Sequence, residues 1–238
     1  MGMQMKIKAL AILLLLLCSA SQAELVPFTA SFDALRHGDK VGFAKIELRA
    51  TGEQEFELRY HSKVSKFFLS DIRSEVSRFR EQEQTIQPIT YEYKREGTGP
   101  DKALKIEFDS DAGIATINEE DEYAIDGELD NQILRIDLPR RLKNQQALVA
   151  YQFFNYRGEK RRYQLKILGN ETLVLPYGQL DTIKIEVQRE SNKRQTFVWF
   201  APSLDYNLVR LQQFKNGNEQ GDLQLSGFSS DTKAAAKK

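Results

Sequence analysis

Two histidines, His37 and His61, are the only imidazoles in the 238-residue chain, and its single cysteine, Cys18, lies near the amino terminus. Imidazole is the side chain best suited to moving protons near neutral pH. Here His37 falls in the turn sequence Arg36-His37-Gly38-Asp39, and both histidines read as solvent-facing groups rather than as a base and its partner. No Gly-x-Ser-x-Gly elbow and no His-Glu-x-x-His pair occurs, so neither a serine nor a zinc hydrolase is indicated. Asp109-x-Asp111-x-Gly113 has the oxygen spacing that opens a calcium loop, but it lacks the later bidentate glutamate and reads as a hairpin turn. The acids between Glu119 and Asp130 could furnish paired carboxylates for glycosidic chemistry. Such chemistry needs one carboxyl in a dry pocket that raises its pKa, and the polar run around these acids argues against one. The basic clusters PRRLK (139–143) and EKRRY (159–163) lack interleaved aromatics and read as solvated faces rather than a nucleic-acid surface. The expectation is a protein that is not an enzyme, with no catalytic residues, no metal site, no cofactor and no nucleic-acid partner.

What remains is apolar binding chemistry, concentrated in TFVWFAPSLDYNLVRLQQF, residues 196–214, which holds the only tryptophan. Strand periodicity puts Phe197 and Trp199 on one face and Val198 and Phe200 on the other. A strand apolar on both faces is either covered on both sides or divides a core from a cavity. Pro202, Ser203 and Asp205 predict a turn, and the adjacent pair Leu208-Val209 shifts the returning alternation, as at a bulge or bend. Two readings follow. Trp199 anchors a packed core hairpin, or Phe197, Trp199, Tyr206 and Leu208 form an aromatic wall and are the candidate ligand-binding residues.

The elements that must position these groups are strands. Alternation of period two runs through 28–34, 44–48, 56–60, 104–108, 149–153, 163–167 and 183–187. Turn sequences at 37–40, 51–54, 109–113, 156–160, 168–171 and 215–221 separate such runs at hairpin spacing. Polar alternate positions and a polar end (DTKAAAKK) oppose an outer-membrane barrel. In 65–82 the spacing predicts a turn at 65–70 followed by a strand, with alternation from Ile72 to Val76. NEEDEY, 118–123, reads as a solvated turn. Residues 130–144 predict a helix, with Leu134, Leu138 and Leu142 on one stripe and Asp130 as its cap. Pro139 is expected to end that helix early in a turn.

The amino terminus predicts a secretory signal peptide over 1–23: Lys6 and Lys8, an apolar stretch from Ala9 to Cys18, then small residues up to Ala23. That stretch is too short to span a bilayer, which takes about 20 apolar residues, and no transmembrane segment is expected elsewhere. Lipid anchoring at Cys18 is the less favoured outcome, because Leu16 and Leu17 stand where a lipoprotein site has small residues. Cleavage after Ala23 leaves 215 residues without cysteine, so no disulfide braces the fold. Loss of Lys6 and Lys8 from 34 basic residues leaves 32 against 34 acidic ones, a formal charge of −2 that suits no polyanionic partner. The predicted organisation is a leader (1–23), a single β domain (24–228) and a flexible polar tail (229–238), exported to the periplasm.

Several motifs carry a family likeness. Thr196-x-x-Trp199-Phe200-Ala201-Pro202, with Tyr206-x-Leu208-Val209-Arg210 after it, resembles the C-terminal signature of the bacterial exported family called domain of unknown function 3108. LPYGQLDTIKIEV (175–187), QPITYEYKREG (87–97) and GDKVGFAKIEL (38–48) are similar to its other segments. The resemblance implies a large, highly curved antiparallel sheet and names no chemistry. A shorter stretch, the Trp strand with its Pro/Asp turn, is similar to periplasmic lipoprotein carriers of the half-barrel type, which implies a concave apolar sheet for acyl chains. The fold expected is all-β: a large, curved antiparallel sheet, an open barrel or β-roll, with one or two short helices. The function expected is binding of a lipid or other hydrophobic small molecule in envelope biogenesis. The alternative is a structural or interaction module that docks another envelope protein without a ligand.

Overall fold

Short turns between alternating runs oblige each run to pair with the next, and the computed structural model has that meander over residues 28–124 and again over 151–230. It describes residues 25–66, 68–82, 85–148, 150–189 and 193–231. The predicted leader, Val149 and tail residues 232–238 lie outside the described residues. The first eight strands are β1 (Phe28–Arg36), β2 (Asp39–Gly52), β3 (Glu55–Lys66), β4 (Leu69–Gln82), β5 (Thr85–Gly97), β6 (Lys102–Asp109), β7 (Ile114–Ile117) and β8 (Asp121–Ala124). After β9 (Leu129–Asp130) and the helix α1 (Leu134–Lys143) come β10 (Tyr151–Phe154), β11 (Lys160–Leu175), β12 (Gly178–Gln188), β13 (Arg194–Ala201), β14 (Asn207–Lys215) and β15 (Asn218–Ser230).

All fifteen strands belong to one sheet, in the order β8-β7-β6-β5-β4-β3-β2-β1-β15-β14-β13-β12-β11-β10-β9. Two meanders are thus joined where the first strand pairs with the last. Pairing is antiparallel except between β9 and β10, a parallel pair that the turn pattern did not foretell. The end strands β8 and β9 are neighbours in sequence, separated only by residues 125–128. In a flat sheet, spacings of about 4.8 Å would put the ends about 67 Å apart, but so short a connection spans at most about 18 Å. The sheet has to curl until its ends meet. They meet through side chains: the rings of Tyr123 and Phe154 are 6.0 Å apart, and the Lys160 ammonium donates to the Ala124 carbonyl and to Glu128. No strand pairing joins β8 to β9, so the barrel stays open along this seam.

The interior is filled from two directions. Ala30, Phe32, Ile46, Leu58, Phe79 and Leu225 from the strands are buried together with Ile133, Ile136, Leu138 and Leu142 of the α1 segment. Beside the seam, Tyr91, Ile106, Phe108 and Ile117 form a second cluster that takes in Phe154 from the far end of the sheet. Helix α1 runs through Pro139 rather than ending there. A proline at this point removes one i→i−4 bond, but the buried stripe Ile136, Leu138 and Leu142 holds the helix from outside, and tertiary packing outweighs local preference. The expected turn at 65–70 is also tighter, because β3 and β4 pair up to Lys66 and Leu69. NEEDEY is solvated as expected, yet Asp121 to Tyr123 belong to β8.

Candidate functional site

Trp199 lies on β13 between Lys184 of β12 and Arg210 of β14, its direct cross-strand partners, so all three side chains share one face of the sheet. The Lys184 ammonium and the Arg210 guanidinium each stand 4.9 Å from the indole centroid. The indole N–H donates to the Glu171 carboxylate, which also pairs with Lys184 at 3.5 Å. Arg210 in turn holds Asp222 through two hydrogen bonds of 2.9 and 2.6 Å, and the bond to Asp222 keeps its guanidinium above the ordinary range. Only 1% of Trp199 is exposed. The indole is not an open wall: it belongs to the buried cluster, and charged groups of four strands enclose it.

The four sequence-predicted ligand residues are not gathered. Phe197 stays beside Trp199, with ring centroids 6.3 Å apart. Leu208 pairs with Phe200, so it points to the opposite face of the sheet and is buried there. The expected irregularity at Leu208-Val209 is a register shift between β13 and β14. Tyr206 sits in the turn after Pro202–Leu204 with φ of 59° and donates its N–H to the Ala201 carbonyl. His61 is exposed and its Nδ1 lies 3.1 Å from Ser74 Oγ, while His37 occupies the β1–β2 turn with φ of 53°.

A second constellation lies inside the seam, where sequence reasoning expected solvated acids. Asp130, the last residue of β9, is fully buried. Its Oδ1 accepts from the Ser77 hydroxyl on β4 at 2.7 Å and from the N–H groups of Gln132 and Ile133 at 2.7 and 3.1 Å. It therefore braces the turn before α1 from within the core, but it is not the predicted helix cap: the helix begins at Leu134 with Ile133 as its N-cap and has no side-chain cap bond. Beside it the Glu75 carboxylate accepts from the Tyr91 hydroxyl at 2.5 Å and from the Asn131 amide at 2.8 Å. Burial pushes the Asp130 carboxyl up to about 7, and the Glu75 charge adds to the rise. Burial, reinforced by Glu75, also raises the Tyr91 hydroxyl well above its ordinary value. Asp130 Oδ2 and both side-chain polar atoms of Gln132 are buried without a partner. One carboxyl in a dry pocket is what acid–base chemistry requires, but this pair is sealed inside the protein and ties β9 to β4 and β5.

Sequence reasoning missed Glu75 because Ile72 and Val76 suggested the buried face of β4. The buried face is the other one, Glu75, Ser77 and Phe79. The signal was a polar pair in phase with Phe79.

A third group surrounds α1. Asp137 accepts from Arg140, Arg141 and Tyr151 at 2.8, 2.6 and 2.6 Å, and Arg140 also reaches Glu81 at 3.1 Å. Burial opposes ionisation of Asp137, but the hydrogen bonds from Tyr151 and Arg141 outweigh it and hold the carboxyl below the ordinary range. A pocket of about 50 Å³ opens beside the helix, lined by residues that include Phe28, Leu48, Arg135, Pro139 and Asn207. Small-molecule sites typically measure about 300–1,000 Å³, so this one has room for a water or two. Among the described residues no group of three or more His, Cys, Asp or Glu could hold a metal ion. No described helix is long and apolar enough to cross a membrane.

With this geometry in hand, comparison with known proteins finds that the family described as "Protein of unknown function (DUF3108)" matches residues 28–224. The chain belongs to this family. No curated protein sequence matches. Among solved structures, the β-barrel-like protein of domain of unknown function DUF1849 from Brucella abortus is 8% identical. Its TM-score is 0.57, over 88% of this chain and 99% of that one. A candidate lipoprotein from Parabacteroides distasonis is 10% identical, with a TM-score of 0.34 over 86% of this chain and 96% of that one. The first of these shares the barrel-like fold of this DUF3108 chain, and none of them names a chemistry.

Proposed function

We propose that this DUF3108 protein is an exported interaction module of the cell envelope, a filled barrel that docks partners on its outside and carries no ligand within. The observation that supports this reading is α1: Ile133, Ile136, Leu138 and Leu142 occupy the interior that a curved carrier sheet would leave for an acyl chain. The Trp199 face argues in the same direction, since a lipid approaching the indole would have to displace Lys184 and Arg210 from its ring. Export rests on the leader pattern of residues 1–23. Native mass spectrometry after mild purification tests the reading. The expected result is the mass of the bare chain, together with recovery of an envelope component by cross-linking in cells. Co-purified lipid, or a saturable shift of Trp199 emission on titration with a long-chain fatty acid, would restore the carrier reading.

A further inference from the structure

The β3–β4 hairpin reaches past both of its neighbours. Pairing with β2 on one side ends at Gly42 and Val64, and pairing with β5 on the other ends at Asp71 and Gly97. The last two rungs, Ser65 with Ser70 and Lys66 with Leu69, lie beyond both strand pairings, and only the outermost has no neighbour across the sheet. At the apex Phe68 is 97% exposed and Leu69 63%. An isolated exposed apolar residue needs no explanation, but two adjacent ones at the tip of a projecting hairpin form an apolar point.

The tip is held in place. Thr98, after β5, accepts from the Ser70 N–H at 3.0 Å and donates its own N–H to the Ser70 carbonyl at 2.8 Å. Gly97 permits that approach, because a Cβ there would lie 2.4 Å from the Ser70 oxygen, and its φ is 127°. Around the apex the hairpin supplies Lys63 and Arg73, and Arg95 of β5 stands opposite Arg73. The only acid between Lys63 and Arg73 is Asp71, which is shared by Arg73 and Arg95 at 2.8 and 3.2 Å, so these groups together keep a positive charge.

We propose that this tip docks the protein on a phospholipid bilayer, Phe68 and Leu69 entering the headgroup–acyl boundary while the basic residues behind them meet anionic headgroups. The inference rests on the reading of the protein as an envelope docking module and names its partner. A convex apolar point backed by positive charge suits a fluid, anionic interface, whereas a protein groove would demand a matching hollow. Association through two side chains is weak and reversible, and salt weakens its electrostatic part.

The test is flotation of the mature chain with vesicles of phosphatidylcholine and phosphatidylglycerol (7:3), and with phosphatidylcholine alone. The expected result is binding to the mixed vesicles that weakens in high salt. Phe68→Ser with Leu69→Ser should lower the partition by at least about tenfold, as expected for withholding two large apolar side chains from the interface. Val174→Ser, at an 82% exposed position on another hairpin, should leave it unchanged. Near-ultraviolet dichroism of the enclosed Trp199 checks that each variant is folded. No flotation by the unaltered chain, or equal flotation by the double variant, overturns the inference. A photo-cross-linker at position 68 that captures an envelope protein while vesicles stay unbound would remove the bilayer as partner and leave the docking module standing.

Discussion

Glu171 on β11 accepts the indole proton of Trp199 on β13, from a strand two places away in the sheet, and Lys184 between them binds the same carboxylate and faces the indole. The indole is thus the centre of a polar brace linking strands β11 to β14. Trp199→Phe should keep most of the packing and lose the donor, costing about 1–2 kcal/mol, as for other hydrogen bonds to partly exposed charged groups. Trp199→Ala should cost about 3–5 kcal/mol. Urea midpoints of the two variants check the ordering, and equal midpoints would mean that the N–H bond contributes nothing.

Addition of a long-chain fatty acid should leave Trp199 emission unchanged. The indole is enclosed before any ligand arrives, so its emission should lie at short wavelength in the bare protein. A saturable change with the fold intact would place an acyl site at this face.

Asp130 makes stability depend on pH in an unusual direction. Its carboxyl titrates near 7 in the folded protein and near 3.9 when unfolded, so the folded state holds a proton that the unfolded state has released. Its contribution is fully present below pH about 4 and is lost as pH rises through about 7. Asp137, whose carboxyl is held down, acts the other way, and its contribution is lost only at pH below the ordinary carboxylate range. Urea denaturation from pH 5 to 8 should show stability falling with pH, and Asp130→Asn should flatten that slope. An unchanged slope in the variant would mean that Asp130 is ionised throughout.

The seam should open before the rest of the sheet. Gly158, with φ of 74°, lies against the second cluster: a Cβ there would come within 3.1 Å of Ile117 and 3.4 Å of Leu104. Gly158→Ala should cost about 1–2 kcal/mol from the left-handed backbone alone. Hydrogen exchange should register the loss first in β6 to β8 and β10. Uniform loss across the sheet would show that the seam is not a separate unit of opening.

Strands and turns were legible because both are local. His37-Gly38 and Asn216-Gly217 take the positive φ that their hairpins require, and Leu208-Val209 marks the bulge where the pattern slips. The seam was not legible, because the face of β4 that turns inward is decided by Asp130, 53 residues after Ser77. A polar pair at inward positions looks the same in sequence as a solvated face. Pro139 misled for a related reason: its helix is held by strands that are distant in the chain. The four candidate ligand residues were drawn from one stretch by spacing alone, and the β13–β14 register sends Leu208 to the face opposite Trp199.

The pairing of β1 with β15 sets the order in which the chain can complete itself. Every other antiparallel strand pair joins strands adjacent in sequence and can form as soon as both are made, whereas Phe28 meets Ser230 only when almost the whole chain is present. That contact dominates the contact order and makes the last closure the slow one. Until then β1 and β15 each present a bare row of backbone donors and acceptors, the kind of edge that recruits other chains. A chain cut short before Asn218 is therefore two separate meanders with open edges rather than a smaller barrel.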